Sequence, residues 1–157
     1  GVVYYSPKSE ESSFHNSIRA QFSTDFWSVG TFGRQEGAMG QLIQKDHPLF
    51  KEFPTEGYTN WQWWPMANQR AVILPDTVKQ PFDAIITEMD SYAFLRPMAQ
   101  LFECRVGNGK LLYSTLGLQD LQQYPEGKAL LRSIYKYLDS EAFVPKRSIE
   151  WETLVSI

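Results

Sequence analysis

Two histidines, His15 and His47, one cysteine, Cys104, and the acids Glu88, Asp90 and Glu103 are the side chains of this 157-residue sequence with the strongest claim to bond-breaking chemistry. Each needs company. A general base needs an oriented partner, and a metal needs three or four ligands in suitable geometry. His47 precedes Pro48, which restricts it to extended backbone, and no His-x-x-x-His pattern accompanies either histidine. Cys104 lies in Leu101-Phe102-Glu103-Cys104-Arg105-Val106, a strand pattern in which a cysteine is expected to be an inert packing residue. A nucleophile elbow would read Gly-x-Ser/Cys-x-Gly, and none is present. Glu88 and Asp90 share one face of a strand if it continues through Asp90, with Glu103 on a neighbouring strand. Such acids could form a hydrolytic pair, although solvated strand ends or salt bridges also use them. Gly107-Asn108-Gly109-Lys110 is followed by Leu111-Leu112-Tyr113 instead of a helix, so it reads as a hairpin and not as a phosphate loop.

Ring-rich chemistry is the second possibility. The sequence has five Trp, eight Tyr and ten Phe, 15% of all residues, and three of the tryptophans crowd into Asn60-Trp61-Gln62-Trp63-Trp64. In an extended segment Trp61 and Trp63 would share one face and Trp64 the other. A Trp61/Trp63 platform beside Asn60 and Gln62 suits a sugar, with rings against C–H faces and amides on hydroxyls. The competing use is a core face combined with docking onto a neighbouring domain.

The elements that must position these groups follow from local patterns. Residues 2–5 read as a strand ended by Ser6-Pro7. Residues 9–22 read as a helix, because Phe14, Ile18 and Phe22 recur every fourth residue. Phe26, Trp27, Val29 and Phe32 then sit in an irregular segment, since Gly30, Gly33, Gly37 and Gly40 disfavour a long helix. Pro48 and Pro54 bracket a helical turn carrying Leu49, Phe50 and Phe53. Strands are expected at 70–74 and at 82–89, the first stopped by Pro75 and the second preceded by Pro81. A hairpin with a three-residue loop joins 100–106 to 110–115. Pro125 and Glu126 open a helix with an apolar stripe of Leu130, Leu131, Ile134, Tyr135 and Leu138. Ile149, Trp151, Leu154 and Val155 suggest a further strand or a docking tail. Strands with amphipathic helices predict an α/β sandwich, and the hairpin makes its sheet mixed.

Bulk properties narrow the partners. The length suits one α/β domain over residues 1–157. A net charge of −3 and the absence of any basic cluster beyond Lys146-Arg147 argue against nucleic acid. The longest apolar runs, 71–74 and 84–87, fall far short of the roughly 20 residues that span a bilayer. The amino end lacks a signal-peptide pattern. A single cysteine permits neither an internal disulfide nor a cysteine-based zinc site, and nothing in the sequence calls for a metal or other cofactor.

The run His47-Pro48-Leu49-Phe50, Phe53-Pro54-Thr55-Glu56 and Asn60-Trp61-Gln62-Trp63-Trp64 resembles the carboxy-terminal part of bacterial family 2 glycoside hydrolases of the β-galactosidase and β-glucuronidase type. Phe26-Trp27 upstream, then Glu88-Met89-Asp90, Leu101-Phe102-Glu103, Gly107-Asn108-Gly109-Lys110-Leu111-Leu112 and Pro125-Glu126, match in the same order, so the resemblance covers about residues 22–143. It implies a flavodoxin-like, class I glutamine amidotransferase-like three-layer sandwich, and the His-Pro turn is similar to one in trehalose-utilisation-type domains. The amidotransferase cysteine elbow and downstream histidine are missing, and the family's glycosidase acids belong to a separate barrel. The resemblance therefore implies a fragment of a larger multidomain enzyme of carbohydrate degradation: an accessory domain without catalytic residues, working in interdomain packing or active-site rim support, in a bacterial periplasm or outside the cell. A carbohydrate-binding module on Trp61/Trp63 and a small hydrolase using Glu88, Asp90 or Glu103 with His47 are the alternatives. The expected partners are other domains of the parent enzyme, or an oligosaccharide.

Overall fold

A computed structural model describes residues 2–5, 17–20, 38–78, 82–91 and 94–157. Its organising strand is β6 (Met98–Val106). The far half of β6 pairs antiparallel with β7 (Gly109–Ser114), from Leu101 opposite Ser114 to Val106 opposite Gly109. Its near end pairs antiparallel with both β4 (Arg70–Ile73) and β5 (Ile86–Asp90). The sheet extends outward through β2 (Ser17–Arg19) on β4, β3 (Ala38–Ile43) on β5, and β1 (Val2–Tyr5) on β7. Among the described pairings of named strands, β1–β7 is parallel and the other five are antiparallel. The chain is thus an α/β structure with a mixed sheet, as expected.

Two irregularities aim side chains. Between Ile86 and Thr87 the β5 register advances one residue while β6 advances two, from Leu101 to Ala99. The inserted Gln100 restores the alternation needed to bury Leu101 on one face and Ala99, Phe102 and Cys104 on the other. A second shift lies between Ala38 and Gln41, where Gly40 takes φ +103°. A side chain there would be strained and would press on Thr59.

Both sheet faces are covered. On one, Leu101 and Leu112 meet the helix α2 (Pro125–Leu138) through Leu130, Leu131, Ile134 and Tyr137, together with Leu49, Phe50, Phe53, Trp63 and Met66. On the other, Phe102 stacks on Tyr113 at 4.8 Å between ring centres, and Ile149 and Ile157 of the tail cover Cys104. Ser133 ties α2 to the Pro48–Glu52 turn, donating to the Leu49 carbonyl and accepting from the Glu52 amide at 3.3 Å. Among the described residues no helix is long and apolar enough to cross a membrane.

Several local expectations change. Ser17–Arg19 is a strand, not part of a helix: Ile18 is buried opposite Ala71, where sheet pairing overrides its fourfold spacing with Phe14 and Phe22. Ala20 follows that strand, buried and donating from its amide to the Gln69 carbonyl at 2.9 Å, while the rest of the expected 9–22 helix, the Phe26-Trp27 segment, Pro81 and His15 lie outside the described residues. The hairpin loop has two residues, because Gly109 already pairs with Val106, and Gly107 supplies the positive φ of +56°. In α2 the stripe turns toward Tyr137, which is buried, and leaves Tyr135 exposed. The tail forms a short helix, α3 (Trp151–Val155), instead of a strand.

Candidate functional site

The expected Trp61/Trp63 platform does not exist, because residues 60–64 are not extended. Asn60 caps a 3-10 turn over Trp61–Trp63, its Oδ1 accepting from the Gln62 amide at 3.2 Å, and α1 (Trp64–Ala67) follows at once. Helical turns bring residues three apart together, so Trp61 pairs with Trp64. Their ring centres are 6.0 Å apart and the planes are inclined by 42°. Trp61 is 83% exposed and Trp64 48%, whereas Trp63 is 0% exposed. Trp63 belongs to the core, edge-on to Phe50 and Phe53, and its indole N–H donates to Thr55 Oγ1 at 2.7 Å. Gln62 donates to the Pro54 carbonyl at 3.2 Å, which fastens the turn to the preceding loop.

The four polar candidates divide between the two ends of β5. Glu88 and Asp90 stand at one end. Glu88 is 1% exposed, and neither carboxyl oxygen has a hydrogen-bond partner among the described residues. Burial pushes its pKa up to about 8; the Gly40 amide pulls weakly the other way without reaching hydrogen-bond geometry. Beside it on β3, Gln41 donates to Gln100 and accepts from the Thr59 hydroxyl at 3.2 Å. Asp90 is a different case. Burial raises its pKa, but the Arg96 side chain and the Arg96 and Ser91 amides outweigh that and lower it overall. Arg96 donates to it from Nε at 2.7 Å and from its backbone at 2.8 Å. That clasp closes a turn in which Leu95 takes the left-handed φ of +52°.

His47 and Glu103 come together at the opposite end, in a cleft of about 390 Å³ whose lining also includes Gln44, Phe82, Asp83, Lys146 and Arg147. His47 caps the Pro48–Glu52 turn, with Nδ1 accepting from the Leu49 amide at 3.3 Å. Nδ1 therefore carries no proton, and the neutral ring presents N–H at Nε2. Burial lowers the His47 pKa, opposed by the charge of Asp83. Tyr137, edge-on to His47 at 5.2 Å, donates from its hydroxyl to Glu103 at 2.6 Å. Burial raises the Glu103 pKa, and that hydrogen bond with the charges of Lys110 and Lys146 offsets part of the rise. Lys146 and Arg147 arrive on a segment that runs along the edge of β6, where the Arg105 amide donates to the Arg147 carbonyl at 2.7 Å and Ser148 bridges to Arg105. The Arg147 guanidinium lies 5.4 Å from the centre of the Phe82 ring.

Sequence reasoning named His47 and Glu103 but not Tyr137, which joins them, nor Gln44, Phe82 and Asp83. Lys146-Arg147 was visible as a pair, yet its place over Glu103 depends on the tail's path. Cys104 is buried, and burial, reinforced by the Glu103 charge, pushes its thiol up to about 11, which disqualifies it as a nucleophile near neutral pH. No group of three His, Cys, Asp or Glu suited to a metal occurs among the described residues.

No curated protein matches this sequence. A family model does, over residues 1–157, and the chain belongs to that family, described as a domain of unknown function (DUF8487).

Proposed function

We propose that this chain is an accessory module of a carbohydrate-degrading, glycoside hydrolase-like protein, and that it acts by presenting the Trp61–Trp64 pair to a neighbouring domain. One observation carries the reading: Trp61 is exposed and its ring partner Trp64 half-exposed on a turn that is capped by Asn60, tied to Pro54 and anchored underneath by the buried Trp63. Aromatic anchors held on a rigid support lose little freedom when covered, which is the economy of a contact surface. Two covered sheet faces support the three-layer part of the amidotransferase-like resemblance. The antiparallel run from β3 through β5 and β6 to β7 departs from a flavodoxin-like parallel sheet, so the proposal takes the layering and not the strand directions.

The W61A/W64A double variant tests it. The isolated chain should keep its circular dichroism and melt within a few degrees of wild type, since exposed positions usually change stability by no more than about 0.5 kcal/mol. W63A should instead cost about 3–5 kcal/mol, as truncations of buried aromatics do. In the full natural gene product, W61A/W64A should accelerate proteolysis at the module's boundary. Saturable calorimetric heat with an oligosaccharide, abolished in W61A/W64A, would overturn docking in favour of sugar binding by the pair. Proteolysis unchanged by the double variant would also overturn it.

A further inference from the structure

We propose that the cleft between His47, Glu103 and Lys146-Arg147 binds a sugar acid, a single polyhydroxylated ring bearing a carboxylate. Charge and shape choose the ligand class. The lining carries both signs of charge, Asp83 and Glu103 with Lys146 and Arg147; Lys146 lies within electrostatic reach of Glu103, and among the described residues it makes no ion pair. Beside it Arg147 is held over the Phe82 ring. A carboxylate fits there, against the Lys146 ammonium. The same cleft offers groups suited to hydroxyls. Glu103 keeps one oxygen on Tyr137 and has the other for a ligand, and His47, with Nδ1 engaged, offers Nε2–H as a donor. Phe82 supplies an apolar face for ring C–H groups, and a cleft of about 390 Å³ falls within the range that takes a small ligand. A simple anion would leave Glu103 and His47 unused, and a neutral sugar would leave Lys146 unused.

The test is a titration of the ¹⁵N-labelled chain with D-galacturonate, with D-galactose and acetate as the two half-ligands. Galacturonate should shift the Gln44, His47 and Arg147 amides saturably, and each half-ligand should bind at least about tenfold more weakly. K146A should weaken galacturonate by at least about tenfold while leaving the weak galactose response and the amides outside the cleft unchanged. W61A/W64A should bind galacturonate like wild type, which separates this site from the docking surface. The absence of saturable shifts with galacturonate, acetate binding as tightly as galacturonate, or K146A without effect would each overturn the assignment.

Discussion

Glu88 stores a pH dependence in one side chain. A carboxyl buried without a partner holds its proton, because ionising it there costs far more than in water. Between its ordinary value of 4.5 and about 8, the folded chain keeps this proton while the unfolded chain has lost it. The folded state then binds more protons, so its stability falls as pH rises through that window and levels off above it. The buried Cys104 thiol, raised from 9 to about 11, adds a smaller decline in the same direction near pH 9, whereas His47 and Asp90 act at lower pH. The lowered pKa of His47 removes stability as pH falls below its ordinary 6.5, and the lowered pKa of Asp90 does so near its ordinary 3.8. Urea denaturation from pH 7 to 9 should therefore show a decline on the order of 1 kcal/mol or more. E88Q should remove most of it. A decline of equal size in E88Q would assign the effect to another group.

At the scale of elements, the start of α2 shows why propensity alone misleads. Alanine is about 1 kcal/mol better than glycine inside a helix. Yet a Cβ on Gly127 would lie 2.5 Å from the Leu121 carbonyl oxygen and 3.0 Å from the Leu121 Cβ. Both belong to the loop that folds under the first turn and buries Leu121 against the α2 core. G127A should therefore destabilise, by about 1–3 kcal/mol, the usual cost of overpacking. A denaturation midpoint at or above wild type would show that the loop yields freely. The Trp61–Trp64 segment teaches the related point: with three tryptophans in four residues, turn and strand periodicities are both plausible, and Thr55, Phe50 and Phe53 decide which ring goes inside.

Across the whole molecule, the tail closes the second sheet face. Ile149 and Ile157 are buried over Phe102, Cys104 and Tyr113, and the Ile149 amide donates to the Arg105 carbonyl at 2.9 Å. Deleting residues 148–157 should uncover Cys104, bring its thiol down from about 11 toward the ordinary value of 9, and speed its reaction with a disulfide reagent under native conditions by at least about tenfold. An unchanged rate would mean that other parts of the chain shield the thiol.

What could be read without coordinates was whatever a few neighbouring residues decide among themselves. Pro48, Gly107-Asn108 and Pro125-Glu126 act through local backbone restriction, and the turn, the hairpin and the long helix they announce are present. The strand at Ile18, the burial of Trp63 in place of Trp64, and the meeting of His47, Tyr137 and Glu103 were settled only by packing between segments far apart in the chain. Burial and pairing energies there exceed the small local preferences. The same reason separates Glu88 from Glu103: both acids sit in similar strand sequences, and only the folded surroundings leave one unpartnered among the described residues and give the other a tyrosine and a cleft.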